Sequence, residues 1–185
     1  MTVEMSSEQV EPLLELWRTR LSEPVRWCMK YGVESGWLQQ LAQRPRVAHA
    51  VAQALRASPV LRERKWAAHL AGELRDLPLL QALVADCEKN PGVEAQSVIE
   101  SVVQALGWLL ECDRADGQAR GLLRAIADGP VKWNSARAAR GALEGKGIRT
   151  VRVSWERALE EIKPSPEELA AFEAWDALAA RLEQA

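Results

Sequence analysis

Apolar residues recur at intervals of three and four almost throughout this chain, and sustained alternation is nearly absent, so the elements it predicts are helices. Val10, Leu13, Leu14, Trp17 and Leu21 form one stripe of a first helix that should stop before Pro24. A short helix over VRWCMKYG, closed by Gly32, is expected next. Two more follow, one around Trp37, Leu38 and Leu41 and one from about Val47 to Leu55.

Beyond Leu55 the punctuation becomes regular. Ser58 and Pro59 have the chemistry of an N-cap and first turn, opening a helix through Leu74, and Pro78 opens another that ends near Cys87. Asn90, Pro91 and Gly92 precede a long helix to about Glu111. The polar turn CDRADG leads to a helix ending at Gly129, and Pro130 is expected to start one that runs to Leu143. Residues 145–153, with two glycines and several β-branched residues, are expected to be a non-helical excursion, extended in part. Trp155, Ala158, Leu159 and Ile162 resume the helical stripe. After KPSP, a final helix over 165–184 carries Leu169, Phe172, Trp175, Leu178 and Leu182, and its acidic face suits a terminal cap.

Three helices end alike, in Ala71-Gly72-Glu73-Leu74, Leu106-Gly107-Trp108-Leu109 and Arg140-Gly141-Ala142-Leu143, and the three glycines are 35 and 34 residues apart. Small residues precede each of them, which would let neighbouring helices approach closely. With Arg62, Ala67, Ala68, Gly72 and Leu74 matching best, residues 58–144 resemble the HEAT-repeat family in its short bacterial form. The resemblance implies an all-α, right-handed solenoid of stacked antiparallel helical hairpins, a single domain over 1–185 with terminal capping helices. It also implies protein binding as the usual activity.

Composition agrees with a folded domain: 48% of residues are hydrophobic and 27% charged. The net charge is only −2, but the charge lies in blocks. Residues 44–75 and 114–152 are predominantly basic, and 76–113 and 153–185 predominantly acidic. Such polarity differs from that of a uniformly basic nucleic-acid binder. Cys28, Cys87 and Cys112 are odd in number and far apart, so neither a disulfide framework nor a zinc site is expected, and they read as buried free thiols. The first residues lack the basic segment of a secretory signal, and no apolar run reaches the ~18 residues of a membrane span, so a cytoplasmic protein without membrane contact is expected.

Eight tryptophans stand beside one Phe and one Tyr. Trp17, Trp155 and Trp175 fall on apolar stripes and read as core, whereas Trp27 and Trp37 could serve either role. Trp66, Trp108 and Trp133 fall on polar helical faces, Trp66 near Arg62 and Trp133 in line with Arg137 and Arg140. A tryptophan so placed is either covered by the next repeat or exposed for a partner. Exposed Trp and Arg are the residues that most often anchor interfaces. The candidate partner-binding set is therefore Arg62, Trp66, Trp108, Lys132, Trp133, Arg137 and Arg140. The basic residues from Lys132 to Arg152 give the alternative, a nucleic-acid surface. His49 and His69 lie on different helices without a ligand pattern, and no nucleophile elbow, Walker or dinucleotide motif is present. No metal, cofactor or catalytic centre is expected. The expected function is a non-catalytic protein-interaction module, an adaptor or inhibitor such as a bacterial immunity or antitoxin-like protein.

Overall fold

The computed structural model describes residues 5–21, 31–146 and 153–185, and among them ten α-helices and no strand. They are α1 (Ser7–Leu16), prolonged by a π-helical turn (Trp17–Leu21), α2 (Tyr31–Ala42), α3 (Pro45–Arg56), α4 (Leu61–Leu74), α5 (Leu77–Lys89), α6 (Val93–Cys112), α7 (Gly117–Asp128), α8 (Ala136–Leu143), α9 (Trp155–Ile162) and α10 (Pro166–Gln184). Two compact units are present, one of Met1–Ala54 with Val151–Ala185 and one of Leu55–Thr150.

In the first unit the expected stripe of α1 is entirely buried, from Val10 to Leu21. Trp17 stacks on Trp37 with ring centroids 3.9 Å apart, and Trp175 of α10 leans on both at 6.4 and 5.8 Å. Each such pair adds about 1 kcal/mol to what burial alone supplies. Trp155, half-buried, meets the edge of Phe172. α2 and α9 cross at Gly36, where an added Cβ would lie 2.8 Å from the Cβ of Ala158 and 3.0 Å from the Ser154 carbonyl oxygen. α10 begins with a capping box, Glu168 N–H donating to Ser165 Oγ and Ser165 N–H to Glu168 Oε2. Its far end caps another helix: the Glu183 carboxylate accepts from the N–H groups of Arg46 and Val47, at the start of α3, at 3.3 and 2.9 Å. Asp176 pairs with Arg44 at 2.7 Å, so the acids of this last helix act in docking as well as in solvation.

In the second unit α6, 20 residues long, lies between α4 and α8. The Arg64–Glu94 ion pair joins the early turns of α4 and α6, and Gly72 meets Ala105 near their far ends, so the two helices run parallel. Gln96 holds the loop before α8 while Gly107 faces Ala142, so α6 and α8 are parallel as well. α5 and α7 are the return helices, each started by an aspartate: Asp76 accepts from Leu79 N–H at 3.0 Å, and Asp116 from Gln118 and Ala119 N–H at 3.0 and 2.9 Å. Arg56 clasps Asp86 of α5 at 2.6 Å, which holds the Asp86 carboxyl below its ordinary range.

Several expectations are corrected. Gly32 does not close a helix; it lies inside α2. α4 starts at Leu61 rather than at Pro59, because Ser58 Oγ accepts from Val60 N–H two residues on and forms a turn of its own. α8 starts at Ala136 rather than Pro130, because Gln96 accepts from Asn134 N–H at 2.7 Å and donates to the Lys132 carbonyl at 3.2 Å, diverting the intervening backbone. Cys87 is buried, but Cys112 is exposed at the end of α6. The short helix expected over 25–32 falls mostly outside the described residues, as do Trp27, Cys28, Arg149, Arg152 and most of the excursion expected at 145–153.

The three repeated glycines differ in environment. At Gly72 a Cβ would lie 2.9 Å from that of Ala105, whereas at Gly107 the nearest described atom would be Ala142 Cβ at 3.9 Å. Gly72→Ala should therefore destabilise the fold by about 1–3 kcal/mol through overpacking. Gly107→Ala should be neutral or stabilising by up to ~1 kcal/mol, the helical preference of alanine over glycine. Urea unfolding of both variants checks this, and equal effects at the two positions would contradict it.

Candidate functional site

The residues singled out in the sequence do not form one face. Trp66 and Trp133 are buried, at 3% and 4% exposure. The Arg62 guanidinium lies over the Trp66 ring, 4.5 Å from its centroid, a cation–π contact that covers the indole from within. Trp133 lies in the loop before α8 and so is not aligned on a helix with Arg137 and Arg140. Trp108 is half-buried near the end of α6. Arg140 donates to the Ala127 carbonyl at 2.8 Å and to Asp128 at 3.0 Å, bridging to the end of α7. Lys132 and Arg137 are exposed, and Arg137 makes no hydrogen bond or ion pair among the described residues.

Arg62, Lys132 and Arg137 share an edge nonetheless. Because α4, α6 and α8 are parallel, their starts lie at the same end of the row, and Arg62 and Arg137 each stand at the second position of a helix. These three helix starts are also chemically distinct. The N-cap side chains of α5, α7, α9 and α10 accept backbone N–H bonds, and Glu183 does so for α3. The N-cap residues of α4, α6 and α8, namely Val60, Gly92 and Ser135, do not. Among the described residues no acceptor meets the N–H groups of Glu94, Ala95, Arg137 and Ala138. Free N–H groups at the starts of α6 and α8 carry partial positive charge, offset at α6 by Glu94 in its first turn.

A groove of about 660 Å³ opens between the start of α6 and the start of α8, lined among others by Val93, Gln96, Glu100, Val103, Ser135 and Ala138. Ser135 is 8% exposed, and its hydroxyl has no partner among the described residues. Val93 is 88% exposed at the rim of the groove, and Val60 is 50% exposed at the start of α4. At the other end of the α6–α8 seam a second cleft, of about 580 Å³, brings together Glu111, Arg114, Arg120 and the Glu144–Lys146 ion pair. There Gly145 adopts φ 76°, and a Cβ at that position would come within 3.8 Å of the Arg114 guanidinium.

Neither the groove nor Arg114 and Arg120 was found from the sequence. The available signal was the contrast of helix starts, Gly92 and Val60 against Asp76 and Asp116. A helix expected to start at Pro130 places Ser135 in its interior, whereas Ser135 is the N-cap of α8. Among the described residues no group of three or more His, Cys, Asp or Glu side chains is arranged to hold a metal, and no helix is long and apolar enough to cross a membrane. Comparison with protein-family models, with curated proteins and with solved structures gave no significant match.

Two groups on the hairpins are shifted by burial. Desolvation, aided by Lys65, lowers the His69 imidazole to about 4, and desolvation raises the Cys87 thiol to about 11. Both are neutral at pH 7, as packing residues are. Above the ordinary histidine value of about 6.5 both folded and unfolded His69 are neutral. As pH falls from there to about 4 only the unfolded chain takes up the proton, so stability is lost across that window and not further below it. The loss from this group is on the order of 3 kcal/mol. Urea unfolding at pH 7 and pH 4.5 should show a smaller pH dependence for His69→Gln than for the wild type, and an unchanged dependence would contradict the assignment.

Proposed function

We propose that this chain is a non-catalytic protein-interaction module of the HEAT-like kind, and that its partner docks on the edge formed by the starts of α4, α6 and α8. The observation that carries the reading is the lateral fit of parallel helices one repeat apart. Gly72 lies against Ala105 and Gly107 against Ala142, 33 and 35 residues on, close to the 34–35-residue spacing in the sequence. Hairpins stacked in this register bury one another's apolar faces and leave helix ends and connections for recognition. The edge carries cations and exposed valines on rigid helices, which suits an acidic, partly apolar protein surface. An inhibitor of the immunity or antitoxin kind and an adaptor both fit this surface, since each needs one face that holds a partner and no chemistry.

Nucleic acid is the weaker reading. Trp133 is too buried to stack on a base, and Arg140 and Lys146 are already paired with Asp128 and Glu144.

Lys132→Glu and Arg137→Glu reverse charges on the edge without breaking an ion pair among the described residues. Affinity purification from the source cell, followed by titration of the purified partner, should show binding to the double variant weakened by about tenfold or more, with helicity and melting temperature unchanged. A partner held equally well by the double variant would remove the edge from the interface. The absence of any specific protein partner, together with salt-sensitive binding of DNA or RNA, would favour the alternative.

A further inference from the structure

At the end of the α6–α8 seam away from the proposed docking edge, the cleft of about 580 Å³ gathers cations from three separate elements. Arg114 comes from the turn after α6, Arg120 from the first turn of α7 and Lys146 from beyond α8. We infer that this cleft is a binding site for a small phosphate monoester, whose dianionic head is held between the Arg114 and Arg120 guanidinium groups. The site is separate from the protein-docking edge, and neither reading depends on the other.

Both guanidinium groups border one short stretch of backbone. Arg120 donates to the Leu143 carbonyl at 3.4 Å, and Arg114 stands over Gly145, where a Cβ would come within 3.8 Å of its Nη1. Leu143 and Gly145 are two residues apart, so their Cα atoms are separated by at most about 8 Å. A group seated over residues 143–145 therefore lies between the two arginines. Arg114 makes no hydrogen bond or ion pair among the described residues, and Arg120 uses only one of its N–H groups on the carbonyl. That contact steadies the Arg120 fork before a ligand arrives, which lowers the ordering cost of binding.

The acids of the cleft do not cancel the arginines. Glu144 is engaged by Lys146 at 2.8 Å, so that pair is neutral. Glu111 also lines the cleft and makes no ion pair among the described residues, and the two arginines outweigh it by one charge. The excess selects an anion. A carboxylate's two oxygens are satisfied by a single arginine fork, whereas two forks from different elements match the three terminal oxygens and double charge of a phosphate monoester. The volume suits an organic body as well as the head, since small-molecule sites run to roughly 300–1,000 Å³. Gly107, Leu110 and Ala142 give that body an apolar lining.

The test uses phenyl phosphate, titrated at pH 7 into the ¹⁵N-labelled full chain, with inorganic phosphate and benzoate as controls. It should shift the side-chain N–H signals of Arg114 and Arg120 and the amides of Gly107 and Gly145 saturably. Arg114→Gln, which removes no bond among the described residues, should melt as the wild type does and bind phenyl phosphate about tenfold or more weakly. Arg124→Gln removes another exposed, unpaired cation, on α7 but outside the cleft, and should change binding by less than about twofold. Glu111→Gln removes the opposing carboxylate and should tighten binding. A loss at Arg124→Gln as large as that at Arg114→Gln overturns the inference in favour of diffuse charge attraction. Benzoate binding as tightly as phenyl phosphate overturns the selection of a dianion, and inorganic phosphate doing so leaves an adventitious ion only. The absence of any saturable shift also overturns it.

Discussion

The second unit depends on how closely α4 and α6 approach at Gly72 and Ala105. With no side chain at Gly72 the α4 backbone comes within van der Waals reach of the alanine. The rest of the register follows: Arg64 meets Glu94 about two turns before the crossing on α4 and about three on α6, and the two helices are held parallel with their starts at one end. Parallel neighbours need antiparallel helices to return the chain, and α5 and α7 fill that role. The first unit repeats the device at Gly36, against Ala158 and the carbonyls of Val153 and Ser154. Small residues at crossings exchange side-chain burial for backbone proximity and leave little tolerance for a methyl group.

Around these crossings the units are held by different chemistry. The first gathers Trp17, Trp37 and Trp175 from three separate helices into one aromatic cluster, and Glu183 and Asp176 orient α10 against the turn between α2 and α3. The second is built mainly of aliphatic and alanine contacts on α6, whose residues from Ala95 to Leu110 are buried on several sides. Its polar contacts fall at connections: Gln96 with the loop before α8, Arg140 with the end of α7, Arg56 with Asp86.

That distribution bears on function. Side-chain caps satisfy the starts of the return helices, whereas those of α6 and α8 have no side-chain cap. A row of parallel helices adds its dipoles at one edge, whereas an antiparallel pair cancels them. Exposed Val60 and Val93 lie at the same edge, so positive potential and apolar surface coincide there. Tryptophan, the residue type that first suggests an interface, contributes instead to the interior: Trp66 lies beneath Arg62, and Trp133, within the loop that Gln96 holds, is buried as well.

The local features were legible in the residues. Apolar periodicity placed most of the described helices, and Pro78, Gly92 and Gly129 marked boundaries, because each depends on neighbours within a few turns of chain. Exposure was not legible. A polar helical face at Trp66 is buried or open according to which distant segment lies over it, and the start of α8 is set by Gln96, 38 residues before Asn134. Nor could the sequence distinguish Gly72 from Gly107, each of which follows small residues late in its helix. The sequence by itself determined that the described residues are helical and where most of the breaks between their helices fall. Only the tertiary structure decided which helix starts stay uncapped and which tryptophans are covered, because both depend on contacts between residues tens of positions apart.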